Sequence, residues 1–114
     1  MAIQRWSDHV LLVTPPEDPG FAEEINEALA AVRNGEELSV VVDLKEVPHL
    51  TSSNLTALLR LRRAVLDGQR SLVLCNVATQ AWGVFLVTGL DAIFQFSDDV
   101  STALATVQVD GGGR

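Results

Sequence analysis

Apolar residues fall along the chain in two alternating kinds of pattern. His9 to Pro15, HVLLVTP, is a compact apolar run that stops at two prolines, which predicts a strand. Ala2 to Trp6, AIQRW, alternates weakly and predicts a short edge strand before it. From Glu17 to Glu37 the period changes. Phe21, Ile25, Ala28, Leu29 and Val32 recur at helical spacing, with acids in the first turn and Asn34-Gly35 as a stop. Leu38 to Leu44, LSVVVDL, is a continuous apolar strand of the kind buried on both faces.

A second long helix is expected from about Ser53 to Leu66, with Leu55, Leu58, Leu59, Arg62 and Leu66 near one stripe and Asp67-Gly68 as its end. Ser71 to Val77, SLVLCNV, reads as another buried strand. Thr79 to Leu90 reads as a short helix with Gly89 near its stop, and Ala92 to Phe96 as a last short strand. A final helix over Ser97 to Val109 takes Ser97 or Asp98 as N-cap, with Val100, Leu104 and Val107 facing inward. Asp110 to Arg114, DGGGR, is expected to be disordered.

The order β-β-α-β-α-β-α-β-α predicts an α/β fold. Its sheet is mixed but mostly parallel, with four to five strands, about four helices and right-handed crossovers. With 114 residues the chain suits one domain, taken as residues 1–109. Sites in such sheets gather at the carboxyl ends of the strands.

Composition narrows the chemistry. The net charge of −7 disfavours nucleic acid, although Arg60, Arg62, Arg63 and Arg70 fall within eleven positions. Cys75 stands alone, inside an apolar run, and reads as a buried hydrophobe. His9 and His49 lack the company a metal site needs, so neither metal nor cofactor is expected. The first residues carry no apolar signal segment, and no run is long enough for a membrane span, so a cytoplasmic protein is expected.

The chemistry concentrates in HLTSSN, His49 to Asn54. Thr51, Ser52 and Ser53 lie beyond a buried strand and at the mouth of a helix. One of them is expected to cap the helix. A catalytic nucleophile would need an oriented base, and only His49 is near in sequence. A phosphate-cradling loop would need glycine and a following lysine, and neither is present. A phosphorylated hydroxyl fits better, because a helix start tolerates a phosphate while the new charge alters a contact surface. Arg60 and Arg63, three positions apart, form a basic patch about two turns beyond. Trp82 and Phe85 have the same spacing and read as core.

Residues 38 to 66 resemble the signature of the STAS domain, the family of anti-sigma factor antagonists: a strand ending in Asp-Leu, a spacer, a segment like Asp-Ser-Ser-Gly, and a Leu-rich helix. The acidic segment PEDPGFAEEINEAL resembles the one before the family's first helix, with Asp18 in the place of its usual Asp. The resemblance implies a non-enzymatic bacterial signalling module that regulates transcription through a sigma factor. Its partner would be an anti-sigma factor that is also a serine kinase of the histidine-kinase-like ATPase type. Phosphorylation would fall on Ser53, with Ser52 as the alternative, and contacts on Asp18, Thr51, Ser52, Ser53, Asn54, Arg60 and Arg63. Thr51 stands where many phosphorylatable members have Asp, and Asn54 where they have Gly. The alternative is a non-phosphorylated scaffold or sensor module, or a small subunit of an ABC-type transport ATPase. A homodimer is compatible with either.

Overall fold

The computed structural model describes residues 3–35 and 37–108. One five-stranded sheet runs in the order β1 (Ile3–Ser7), β2 (Val10–Val13), β3 (Ser39–Asp43), β4 (Leu72–Cys75) and β5 (Gln95–Ser97). β1 is antiparallel to β2, and every other neighbouring pair is parallel. Among the described residues four α-helices accompany the sheet: α1 (Gly20–Arg33), α2 (Ser52–Asp67), α3 (Thr79–Thr88) and α4 (Val100–Val107). The expected order and the mixed, mostly parallel sheet are therefore present, and the antiparallel member is β1. The expected tail, residues 110–114, lies outside the described residues.

The pleat of the sheet divides the core in two. Val40, Val42, Leu72 and Leu74 point to one face and join Phe21, Ile25, Leu58, Leu61 and Phe85. Val41, Val73 and Cys75 point to the other face and meet Ala103, Leu104 and Val107 of α4. This is the period-2 consequence of a strand buried on both sides. Every residue of β3 and β4 is buried.

Three boundaries differ from the expectations. The inward stripe of α2 is Leu55, Leu58, Leu61 and Val65, not the stripe through Leu59, Arg62 and Leu66, and Leu66 is exposed. A Leu-rich helix offers two overlapping stripes, and packing against α1 and the sheet selects one. The N-cap of α4 is Asp99, whose carboxylate accepts from the Thr102 N–H at 2.8 Å, rather than Ser97 or Asp98. Ser97 is already paired with Cys75 in the sheet, and the Asp98 carbonyl accepts from the Asn76 N–H. The last strand starts later than expected, because Gly89, at φ 77°, closes α3 and leads into a 3-10 turn over Leu90–Ala92. That left-handed conformation suits glycine at a helix end.

Candidate functional site

The carboxyl end of β3 delivers the chain through residues 44–50 to the start of α2. Thr51 is the N-cap there. Its hydroxyl accepts from the Asn54 N–H at 3.1 Å, while the Asn54 side-chain oxygen accepts from the Thr51 N–H at 3.1 Å. This reciprocal pair is a capping box in which Asn takes the place of the usual Glu or Gln. Of the three adjacent hydroxyl residues, one is thus spent on the helix, and it is the first.

Asn54 is also buried, and its amide nitrogen donates to both carboxylate oxygens of Asp18, at 3.2 and 3.1 Å. The bond ties the start of α2 to the segment that leads into α1. Gly20 seats that segment: a Cβ there would stand 2.6 Å from Pro16 Cγ. Asp18, Thr51 and Asn54 therefore form one connected unit. Asn54 does more here than occupy the place of a family glycine.

Ser52 and Ser53 are the first two residues of α2, and both are exposed. They line a shallow groove of about 340 Å³ with Ala22 and Asn26 of α1 and Thr56, Ala57 and Arg60 of α2. The Thr56 hydroxyl is engaged, donating to the Ser52 carbonyl at 3.0 Å. No hydrogen bond joins His49 to Ser53 among the described residues, and His49 is exposed. The arrangement therefore supplies an accessible hydroxyl at a positive helix end, without an oriented base of its own.

Arg60 also lines the next cavity, about 280 Å³, with Val32, Arg33, Arg63, Ala64 and Asp67. Arg63 Nε lies 3.4 Å from Asp67 Oδ1, an exposed pair, so its charge is partly balanced. Arg33 comes from α1 and was not singled out by the sequence. Its position closes a row with Ala22 and Asn26 along the face of α1 that meets α2. The basic patch is thus a groove between two helices rather than one helix face.

A larger open cleft of about 700 Å³ lies at the carboxyl ends of β3 to β5, lined in part by Lys45, Asn76, Trp82 and Phe96. At its back the buried Asp43 carboxylate accepts from the Lys45 N–H and the Asn76 side chain, both at 3.0 Å, and Lys45 Nζ stands 3.7 Å away. Trp82 meets Phe96 edge-on at 4.8 Å. Phe85 is fully buried among Trp82, Phe94 and Phe96, as core packing requires. The Cys75 thiol is pushed up to about 12, first by burial and then by the charges of Asp43 and Asp99. It is therefore an inert thiol at neutral pH.

Among the described residues, no group of three or more His, Cys, Asp or Glu is placed to hold a metal ion. No described helix is long and apolar enough to cross a membrane.

The STAS domain model matches residues 9–103. The fold is similar to that of an anti-sigma-factor antagonist (STAS) domain protein from Planctomyces limnophilus. The TM-score is 0.78 and the identity 21%, covering 92% of this chain and 97% of that one. It is also similar to the Bacillus cell fate determinant SpoIIAA in its phosphorylated form. There the TM-score is 0.74 and the identity 14%, covering 92% of this chain and 96% of that one. No curated protein sequence matches the chain. A family model spanning residues 9–103 and a five-stranded, four-helix architecture shared with solved STAS domains lead to one conclusion: the chain belongs to the STAS domain family.

Proposed function

We propose that the chain is a non-enzymatic protein-binding module, an anti-sigma factor antagonist whose contact surface is centred on Ser53. The observation that carries this reading is the exposed Ser53 at the start of α2, beside a helix cap that works without it. Its partner is an anti-sigma factor that is also a serine kinase with a histidine-kinase-like ATPase fold. That kinase would supply the base and the ATP. The Ser53 oxygen attacks the γ-phosphorus, its proton passes to the kinase base, and ADP leaves with the broken phosphoanhydride bond.

The physics of the switch follows from position. A phosphate at a helix start meets unpaired N–H groups, so α2 is not disrupted. The same phosphate brings a charge of about −1.5 to −2 into a contact surface, where an acidic or apolar partner patch must exclude it. Asp18, Thr51, Ser52, Asn54, Arg60 and Arg63 surround or support this surface. A cytoplasmic location goes with such a partner.

The test is recovery of the tagged chain from its native cells, with mass spectrometry of phosphosites and co-purified proteins. Phosphate on Ser53 and a co-purified ATPase-type serine kinase are expected. A transport ATPase in the place of the kinase, with Ser53 unmodified, would replace this reading with that of an accessory subunit.

A further inference from the structure

We propose that a phosphate on Ser53 is clamped by Arg60 within the groove between α1 and α2, so that phosphorylation also withdraws Arg60 from the contact surface. The inference rests on the reading of Ser53 as the modified residue, and it adds how the switch is read out.

Ser53 and Arg60 line the same groove. They are seven positions apart, about 10 Å along the helix axis and about 20° short of two full turns, so both side chains lie on one stripe. Helical side chains lean towards the N-terminus, which directs the Arg60 guanidinium towards the Ser53 turn. Arg60 has no ion pair among the described residues, whereas Arg63 on the next turn already has Asp67. Arginine suits the task, because its planar fork matches a phosphate's oxygens.

The other groups near Ser53 point the same way. The Asp18 carboxylate, bonded to the Asn54 amide at the same helix start, repels a phosphate and leaves Arg60 as the attracting charge within the groove. The Thr56 hydroxyl is engaged by the Ser52 carbonyl and offers no proton. Asn26, across the groove on α1, brings an amide as a second donor.

Arg60 is also the one residue shared between this groove and the cavity holding Arg33 and Arg63. In the unmodified chain it adds to that basic surface. In the phosphorylated chain its charge turns to the phosphate. One modification then adds negative charge and removes positive charge from neighbouring parts of the same face.

The test uses the full chain with phosphoserine genetically encoded at position 53, followed by phosphorus NMR across the second ionisation of the phosphate. A nearby cation favours the dianion and lowers that pKa. Arg60→Gln should therefore raise the midpoint by about 0.3 to 0.7 pH unit, the size expected for a partly exposed charge pair. Arg63→Gln should leave it unchanged. Circular dichroism checks that each variant is folded. Equal midpoints in the parent and Arg60→Gln overturn the clamp, as does an equal rise in Arg63→Gln, which would mark a general field instead. Because the phosphate is installed directly, failure of the clamp leaves the kinase reading standing, and absence of a natural kinase leaves the clamp result valid.

Discussion

Replacing Asn54 by alanine removes the brace between α2 and the segment before α1. The side chain makes two kinds of bond: it accepts from the Thr51 N–H and donates to both oxygens of Asp18. A hydrogen bond of the first kind contributes about 1 kcal/mol net. The bond to Asp18 is charge-assisted, but Asp18 is exposed and regains water when released, so it adds on the order of 1 kcal/mol at most. Alanine recovers up to about 0.7 kcal/mol of helix propensity. The net loss is about 0.3 to 2 kcal/mol, equivalent to a fall of about 1 to 10 °C in Tm for a domain of this size. Urea unfolding followed by circular dichroism measures it. Asn54→Asp separates the two bonds. It keeps an acceptor for the Thr51 N–H but sets a carboxylate against Asp18, so it should be destabilised, and Asp18→Asn in the same chain should restore it. Asn54→Ala within about 0.3 kcal/mol of the parent, or no rescue by Asp18→Asn, would refute the brace.

Three further outcomes are expected. Phe85→Ala empties a fully buried site ringed by Trp82, Phe94 and Phe96, and should cost about 3 to 5 kcal/mol in urea unfolding. Cys75 should resist iodoacetamide in the native chain at mildly alkaline pH and react once the chain is unfolded. Its folded pKa, about 12, lies above the unfolded value, so its contribution to stability is present below the unfolded pKa and lost as pH rises towards 12. Replacing Arg60 and Arg63 with Glu should slow association with the partner and make it less salt-dependent in stopped-flow measurements, with the fold intact.

Much of this architecture is legible in the residues themselves. LSVVVDL and SLVLCNV have no polar alternation, and only a strand covered on both faces suits that pattern. The Leu-rich segment after the hydroxyl cluster had to be a helix, but not a helix of known rotation. Leucines at 55, 58, 59, 61 and 66 allow two stripes, and only contact with α1 and the sheet chooses between them. The caps were ambiguous for a similar reason. Thr51, Ser52 and Ser53 can each cap, as can Ser97, Asp98 and Asp99, and the choice depends on where the preceding strand or loop ends. The Asn54 to Asp18 bond spans 36 positions and exists only because two loops meet at the same end of the sheet. Nothing local to either residue announces it. Arg33 was hidden likewise, since its place beside Arg60 comes from the packing of α1 on α2.

The most direct test of Ser53 as the switch pairs two substitutions in one experiment: Ser53→Ala and Ser53→Asp, each measured for affinity to the kinase partner and for unfolding free energy. Ser53 is exposed and caps nothing. Ser53→Ala should therefore bind within about 0.5 kcal/mol of the parent, as surface changes away from special features do. Ser53→Asp should lose several kcal/mol of binding, because it forces an unpaired ion into the contact. Its stability should hold or rise by about 0.3 to 1 kcal/mol, since a carboxylate at a helix N-terminus is favourable. Equal binding by Ala and Asp would place the contact surface elsewhere. Unfolding of the alanine variant would make Ser53 a structural residue, and either result would contradict the account.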